Sequence, residues 1–379
     1  MRFDASDEQR QLGVTTRRFL ESTVPVSGLR LLGEKNPAGF DRDWWRRAAD
    51  LGWASLLVPE TLGGSGAPGA GLASLADLAI VAEEYGRGVA PGPLLPASVA
   101  AWTLAQAEQS ENVGAALDAI GAGEAVWAWV RGEGGDPWPQ SPPSVRAVPA
   151  GNALSLTGTA GAVESGADAD RLLVAVCLGD DVAHLAVPAE LAGLERRRVS
   201  SLDLVRRHAD LHFDGAVVPR TAVVIGVDRG RALLERQGHI ANVVQCAEMV
   251  GAASRSFAMT LAYATERYSF GRPLASYQEL KHRFADMKLW LEASEAAVEA
   301  AVAAVAADAP EAAARVSTAK LYVGRAAADV VQDCIQIHGG IGVTWEHDLH
   351  LYLRRVTTGR QLMGTPAEHT EHLASLLGL

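Results

Sequence analysis

The sequence of 379 residues is poor in cysteine and has no long uncharged apolar run. Its three cysteines, Cys177, Cys246 and Cys334, lie far apart and form no C-x-x-C pair, so neither a zinc site nor a disulfide framework is predicted. Each is expected to be a small buried side chain in a reducing compartment. Because no apolar run could span a bilayer and the N-terminus has no apolar signal core, we predict a cytoplasmic protein without a membrane partner.

Positive charge is also in deficit, since 34 Lys and Arg face 45 Asp and Glu for a formal net charge of -11. This balance disfavours nucleic acid or an anionic membrane as the main partner. Hydrophobic residues are 48% and charged residues 21%, as in a globular protein. The length favours two or three cooperating domains.

The pattern of the chain divides it into three blocks. Residues 1–118 read as helices joined by loops rich in Gly and Pro, residues 119–222 as short alternating strands separated by turns, and residues 223–379 as long helices. One of the predicted strands is "RLLVAVCL" (171–178), and the first long helix, from "GRALLERQ" onward, is predicted to be closed by Gly271 and Pro273. We therefore predict a mainly α fold with a β insert: an N-terminal helical domain, a middle antiparallel β-domain and a C-terminal four-helix bundle.

Local signals place the first helix boundaries. Ser6 is a candidate N-cap with Gln9 three residues later, as in a capping box. For the following helix, Asp41 or Asp43 is the candidate cap and Gly52 the candidate end. The periodicity of the first helix puts four residues on its apolar face: Leu12, Thr15, Phe19 and Leu20.

Four stretches resemble the acyl-CoA dehydrogenase family in order and spacing. They are "LGWASLLVPETLGGSG" (51–66), "LTGTAGAVESGADADRLLVAV" (156–176), "ERYSFGRPLASYQELKHRFADM" (266–287) and "QIHGGIGVTWEHDLHLYLRR" (336–355). The resemblance implies FAD as cofactor, an acyl-CoA substrate and oxidation of the Cα–Cβ bond of the thioester. It also implies an electron acceptor such as an electron-transfer flavoprotein.

The family holds each FAD between two subunits, and the residues that match its grip on the pyrophosphate and adenine are present here. They are Arg267, Phe270, Gln278, Gln336, Gly339 and Gly340. An arginine offers a forked cation to phosphate, and glycine lets a ligand approach the backbone. Taken singly, such an arginine is typical of a solvated helix end and such a glycine pair of a helix terminator. Their combination at matching positions favours cofactor contact.

The half of the site that surrounds the flavin ring departs from the family. Members usually carry a Thr-Glu-Pro-Gly-x-Gly-Ser-Asp segment, and residues 127–145 show nothing comparable. A Trp-Ile-Thr strand lies beside the flavin in the family, and here its match is Ala162-Val163-Glu164. The resemblance therefore implies a changed environment for the ring.

The catalytic base of the family, a glutamate, is missing from both of its usual positions. The position before Gly364-Thr365 is Met363, and the alternative position on the first long C-terminal helix is Ala241. Glu235 and Glu248 lie roughly two turns from Ala241, and each is expected to be a salt-bridged or solvated helix residue. Neither is an obvious substitute.

The resemblance is strongest to base-lacking subunits of bacterial α2β2 acyl-CoA dehydrogenases that act on CoA thioesters of steroid side chains. In those complexes one subunit carries the base and the flavin pocket, and the other completes the FAD grip. We predict that this chain is the second kind. Two alternatives stay open: a homo-oligomeric flavoprotein with other chemistry, such as oxygenation, and a non-enzymatic interaction subunit.

Overall fold

Helices form both ends of the chain and strands form its middle, which confirms the predicted fold class. The computed structural model describes residues 5–66, 72–132 and 142–379. Its α-helices are α1 Asp7–Thr23, α2 Leu29–Lys35, α3 Arg42–Ala49, α4 Leu75–Gly88, α5 Leu94–Ala105, α6 Glu111–Gly121, α7 Val227–Glu266, α8 Gln278–Ala306, α9 Ala312–His338, α10 Leu349–Gln361 and α11 Pro366–Leu376. Its strands are β1 Trp127–Val130, β2 Arg146–Ala150, β3 Ala153–Glu164, β4 Arg171–Leu178, β5 Asp181–Pro188, β6 Leu194–Val199, β7 His208–Pro219, β8 Val223–Ile225, β9 Tyr268–Ser269 and β10 Arg272–Pro273.

The beginning of α1 follows the predicted capping box. The Ser6 hydroxyl accepts the backbone N–H of Gln9, and the Gln9 side chain accepts the backbone N–H of Ser6. The predicted apolar face is wrong at Thr15, which is exposed, because the buried side of the helix follows Gly13, Thr16 and Leu20. These positions are three and four apart, so they share one face of a helix.

The cap of α3 is Asp41, whose carboxylate accepts the backbone N–H of Trp44 at 2.8 Å. The helix ends at Ala49, three residues before the predicted end at Gly52. Gly52 instead has a φ of 82° and begins the next 3₁₀ turn. A left-handed residue of this kind is compatible with glycine at little steric cost.

The sheet has the strand order β6-β7-β3-β2-β4-β5-β8, with β1 paired to β4. The predicted antiparallel pattern holds for most pairs, but β1 and β2 both run parallel to β4. In β4 the six residues 172–177 are all buried. Such a continuous apolar strand is typical of a position covered on both faces.

Contacts divide the chain into two compact, discontinuous units. The first comprises Met1–Arg30, Ala79–Ala90 and Asn242–Leu379, and the second comprises Leu31–Leu78 and Pro91–Ala241. The three-domain division with boundaries after residues 118 and 222 stays a prediction beside this contact-based one.

The first unit contains a close crossing of α4 and α7. A Cβ added to Gly251 would lie 1.9 Å from the carbonyl oxygen of Glu83, and one added to Gly86 would lie 1.8 Å from that of Glu248. Both distances are far below van der Waals contact, so the two backbones touch. Glycine at these two positions permits the crossing.

The cysteines are free and buried, as predicted. Burial raises the pKa of the Cys246 thiol to about 11 and that of Cys334 to about 12. These thiols therefore stay protonated near neutral pH, as expected of small packed side chains. No helix within the described residues is both long enough and apolar enough to cross a membrane.

Candidate functional site

A short hairpin follows α7 and carries two of the predicted site residues. The helix ends at Glu266, before the predicted end at Gly271 and Pro273, and β9 then pairs with β10 through Ser269 and Arg272. Because two turn residues with positive φ continue the strand twist, this hairpin can close in two residues. The predicted terminators therefore belong to a turn and a strand.

Phe270 occupies the tip of this hairpin in a strained conformation. Its φ is 49°, that of Gly271 is 80°, and its side chain is 97% exposed. A bulky residue with positive φ is uncommon and costs free energy, so such outliers cluster at ligand-contact sites. An apolar ring that is strained and exposed is suited to contact a ligand or another chain.

Arg267 extends from the base of the same hairpin. Its backbone N–H donates to the carbonyl of Tyr263 at 2.8 Å, and its own carbonyl accepts the N–H of Leu274 at 2.8 Å. The backbone is thus fixed while the side chain is exposed. Within the described residues its guanidinium has no carboxylate partner, which leaves the forked donor available for an anion.

Two further contacts stiffen the hairpin. The Tyr277 hydroxyl donates to the carbonyl of Ser269 at 2.7 Å. The Arg272 guanidinium lies 3.9 Å from the centroid of the Tyr277 ring, within cation–π distance. Tyr277 immediately precedes α8, so the hairpin is held against the start of that helix.

The remaining predicted residues lie at helix ends with open space around them. Gln278 is the first residue of α8 and Gln336 lies in the last turn of α9, and both are exposed. Gly339 has φ 64° and ψ -140°, a combination essentially restricted to glycine. A Cβ added to Gly339 or Gly340 would meet nothing within 4 Å, so a ligand could approach this backbone closely.

Contacts within the first unit bring these segments to one end of its helices. The rings of Tyr263 and His338 stack at 4.2 Å, which joins the end of α7 to the end of α9. Arg283 Nη1 donates to Asp333 Oδ1 at 2.5 Å, which joins the early part of α8 to α9. The predicted grip is thus a set of neighbouring chain segments.

The corner between α10 and α11 contains no free carboxylate at the expected base position. Met363 is half-buried with a φ of 57°, and Gly364 follows with a φ of 88°. The nearest acidic residue along the chain, Glu368, accepts the backbone N–H of Thr365 at 2.7 Å and completes the capping box of α11. Its carboxylate therefore stabilises a helix start.

A buried lysine organises this corner, and the sequence reasoning missed it. The ammonium group of Lys320 donates to Gln245 Oε1, to the carbonyl of Gly359 at 2.6 Å and to that of Leu362 at 2.5 Å. Its side chain is fully buried on α9. A signal was present, because Lys320 lies within the apolar stripe that includes Val316 and Val323.

His369 holds the other side of the corner. Its Nε2 lies 3.0 Å from the carbonyl of Met363, and its Nδ1 lies 3.0 Å from the Ser317 hydroxyl. Since the carbonyl can only accept, Nε2 carries the proton and Nδ1 accepts from serine. Burial lowers the pKa of His369 to about 4, so the ring is neutral at physiological pH.

The second expected base position is also without an acid. Ala241 is fully buried. Glu235 is an exposed residue with its carboxylate 3.9 Å from His239, as predicted. Glu248 was expected to be solvated or salt-bridged; it is not solvated, because its side chain is fully buried in the first unit, where α7 crosses α4 closely, and the salt-bridged reading stays a prediction.

The segment that matches the flavin-side strand contains a buried ion pair. Ala162 has a φ of 51° next to an irregularity in the β3–β7 pairing. Glu164 Oε1 lies 3.4 Å from Arg206 Nε, with both side chains about nine-tenths buried. Part of the other departing segment, residues 133–141, lies outside the described residues.

A cavity in the described residues lies away from these segments. It has a volume of about 1130 Å³, lies within the second unit, and is lined by parts of α6, β5 and β8. It contains none of the predicted site residues. Within the described chain, no group of three or more His, Cys, Asp or Glu side chains could hold a metal ion.

Two family descriptions match most of the chain. The acyl-CoA dehydrogenase N-terminal domain matches residues 6–123, and the acyl-CoA dehydrogenase C-terminal domain matches residues 228–377. The chain belongs to the acyl-CoA dehydrogenase family. This family comprises flavin-dependent oxidoreductases that act on CH–CH donors.

One curated relative and two solved structures are similar along nearly the full length. The acyl-CoA dehydrogenase IpdE2 of Mycobacterium tuberculosis is 31% identical over 89% of this chain and 87% of its own. The ChsE4–ChsE5 complex of Mycobacterium tuberculosis has a TM-score of 0.88 at 26% identity, over 100% of this chain and 99% of that one. A variant of the Tcur3481–Tcur3483 steroid ACAD has a TM-score of 0.86 at 26% identity, over 98% of each chain.

Proposed function

We propose that this chain is the non-catalytic subunit of a heteromeric, FAD-dependent acyl-CoA dehydrogenase and that it completes the FAD site of a partner subunit. One observation carries the proposal. Arg267, Phe270 and the glycine turn after α9 lie on neighbouring segments with exposed side chains or open backbone, whereas the base positions hold Met363 and Ala241.

The exposed set fits the nucleotide half of FAD. Arg267 offers two parallel N–H donors to a pyrophosphate oxygen pair, and Gln278 and Gln336 offer amide groups that donate and accept. Phe270 offers an aromatic face, and the open backbone at Gly339-Gly340 leaves room for adenine and ribose. FAD supplies a hydride acceptor to the complex; the residues of this chain bind and orient it.

The proton-removal step belongs to another chain in this proposal. A thioether cannot accept the α-proton of a thioester. The acidic residue nearest to Met363 in the sequence is Glu368, and its carboxylate accepts the backbone N–H of Thr365. The partner therefore provides the carboxylate that takes the α-proton, while the β-hydrogen leaves with its electron pair. An external acceptor, such as an electron-transfer flavoprotein, then removes these electrons from the complex.

The expected partner is a second chain of the same family. Support comes from the similar structures, one of which is described as a complex of two unlike chains and another as a steroid ACAD with a paired designation. By the same similarity we propose an α2β2 assembly and an acyl-CoA substrate of the steroid side-chain class. The buried Glu164–Arg206 pair is consistent with a chain whose own ring-side segment no longer contacts a flavin ring.

Co-expression with a second chain of the acyl-CoA dehydrogenase family, taken from the product of the adjacent gene, tests the proposal. We expect a heteromeric complex with one FAD per pair of unlike chains, measured by flavin absorbance and by the mass of the assembly. Arg267→Ala should remove most of this flavin while the far-ultraviolet circular dichroism stays unchanged. Arg315→Ala removes an equal charge from the opposite end of α9 and should keep the flavin.

Other outcomes would contradict the proposal in distinct ways. One FAD per chain in the protein purified alone would indicate a homo-oligomeric flavoprotein. A complex without flavin would indicate an interaction subunit only. Full flavin content in Arg267→Ala would show that the grip is assigned to the wrong residues.

A further inference from the structure

Three aromatic rings that contact one another form a ring column next to segments of the predicted FAD grip. Tyr263 and His338 are stacked, with ring centroids 4.2 Å apart and planes inclined by 18°, whereas the His347 ring lies 4.8 Å from that of His338 and is tilted by 60°. The rings come from α7, from the last residue of α9 and from the segment before α10. They therefore join three separate pieces of the first unit.

Backbone hydrogen bonds fix the orientation of the two imidazoles. His338 Nδ1 lies 2.8 Å from the carbonyl of Cys334, so this nitrogen carries the proton. His347 Nδ1 accepts the N–H of Leu349 at 3.2 Å, so this nitrogen has none. Burial, with a smaller contribution from neighbouring His347, lowers the pKa of His338 and favours a neutral ring. The column is thus built from oriented rings.

Two rings of the column, Tyr263 and His338, lie close in sequence to predicted ligand-contacting residues. Tyr263 lies one helical turn before Arg267 and accepts its backbone N–H at 2.8 Å. His338 lies between Gln336 and Gly339 and is the last buried residue before the exposed turn. The contact between these two rings therefore links the segment of the arginine to that of the glycine turn.

The turn after α9 packs through Gly342, which is buried against Ile335 and His338, while its larger apolar side chains are exposed. Gly339 leaves the helix with φ 64° and ψ -140°, and Ile341 and Val343 are 53% and 72% exposed. At the far end, Arg30 donates to the carbonyls of Trp345 and Glu346 at 2.6 and 2.8 Å. At the start of the same segment, next to Gly339, the ring column holds the chain through His338.

We propose that Tyr263 is a positioning residue for the FAD grip: by stacking on His338 it sets the glycine turn relative to Arg267. The inference rests on the proposed function, because it needs that grip to bind FAD. A binding site whose parts are held in place before the ligand arrives loses less free energy in ordering them. Removal of the stacked ring should weaken FAD binding although no group that contacts FAD has been removed.

The test uses the co-expressed complex, freed of flavin and titrated with FAD by flavin fluorescence. Tyr263→Leu removes the aromatic stack and retains apolar bulk, and we expect the Kd for FAD to rise by about threefold to tenfold. Tyr263→Phe retains the ring and should bind within about twofold of the unaltered complex, by the same reasoning. If Tyr263 contributed only to general folding, Tyr263→Leu and Tyr263→Phe complexes of equal Tm would bind FAD with equal affinity.

A second variant keeps the test decisive if Tyr263→Leu does not assemble. His347→Leu removes the outer ring from a half-buried position and should weaken FAD binding in the same direction. An unchanged affinity for FAD in Tyr263→Leu overturns the inference. If Tyr263→Leu does not assemble, an unchanged affinity in His347→Leu overturns it instead. Equal weakening of FAD binding in Tyr263→Phe also overturns it. Arg267→Ala separates the two hypotheses: if it keeps its flavin, the proposed function fails; if it loses flavin while the stacking variants bind normally, only the positioning role fails.

Discussion

At the scale of single residues, Phe270 combines a cost to the fold with an exposed position. Its φ of 49° at a two-residue turn is one that Asn adopts far more readily, and Asn-Gly is the preferred sequence for such a turn. We therefore expect Phe270→Asn to raise the free energy of unfolding by about 1 kcal/mol. The same change should lower the flavin content of the co-expressed complex, because the aromatic face is lost.

The two measurements for Phe270→Asn are a thermal unfolding curve and the ratio of flavin to protein absorbance. Phe257→Leu is a suitable comparison, since Phe257 packs edge-on against Phe284 within the helices. That variant should lower the Tm and leave the flavin ratio unchanged. A Phe270→Asn protein that is both less stable and fully flavinated would contradict the assignment of strain and contact to this residue.

Lys320 presents the opposite case, a buried charge used for structure. Lys320→Met keeps the length of the side chain but leaves the carbonyls of Gly359 and Leu362 without this donor. We expect the free energy of unfolding to fall by about 3 kcal/mol, since each buried unsatisfied acceptor costs roughly 1–3 kcal/mol. Chemical denaturation followed by circular dichroism measures the change.

The control for this prediction is Lys288→Met. Lys288 pairs with Glu292 on the surface of α8, with about half of its side chain exposed. Exposed pairs at this spacing contribute about 0.5 kcal/mol or less. If the two methionine variants lose similar stability, the three hydrogen bonds of Lys320 do not have the role assigned to them.

Residues whose partners are close in sequence were predictable, and those with distant partners were not. Ser6 with Gln9 follows from spacing, because the pair spans one helical turn, and spacing narrowed the cap of α3 to Asp41 or Asp43, of which Asp41 accepts from Trp44. Lys320 bonds to residues 39 and 42 positions away, and His369 reaches Ser317. Composition and periodicity do not encode such pairings, so the corner at Met363 required the structure.

At the scale of elements, the crossing of α4 and α7 depends on the absence of side chains. A Cβ at position 251 would overlap the carbonyl of Glu83, at 1.9 Å. Gly251→Ala should therefore force the helices apart and lower the free energy of unfolding by about 3 kcal/mol. A lower denaturation midpoint is the expected readout.

A glycine with open space around it provides the matched control for this crossing. Gly114 lies inside α6, and an added Cβ there would meet nothing within 4 Å. Gly114→Ala should raise stability by about 0.5–1 kcal/mol through helix propensity alone. Equal effects of the two alanines would mean that the helices can separate without cost at Gly251.

Element type was predictable along most of the chain, but element ends and strand partners were less so. The run "RLLVAVCL" corresponds to β4 without change, because a buried strand is a continuous apolar run. The end of α7 was placed too late, since the hairpin at Phe270-Gly271 lies between the helix and its predicted terminators. The parallel pairing of β1 with β4 joins segments 44 residues apart, which alternation cannot specify.

At the scale of the whole molecule, two expected differences from the family pattern carry the proposed division of roles between unlike subunits. The expected base position holds Met363, whose carbonyl lies 3.0 Å from His369 Nε2 and follows the Leu362 carbonyl that accepts from Lys320. The segment matched to the ring-side strand holds the buried Glu164–Arg206 pair. A chain changed at only one of these places could regain activity by one substitution. Differences at both places support the proposal that the reactive half of the site belongs to a partner subunit.

Met363→Glu tests this combined loss. The new carboxylate would stand at the expected position of the base, yet the ring-side segment would remain changed, so we expect no acyl-CoA oxidation by the chain alone. We also expect none in a complex whose partner has lost its own base. Dye reduction with a panel of acyl-CoA thioesters measures this, and Met363→Gln controls for the altered side chain. Turnover in Met363→Glu but not in Met363→Gln would show that this chain retains a complete flavin pocket and that the division of roles between unlike subunits is wrong.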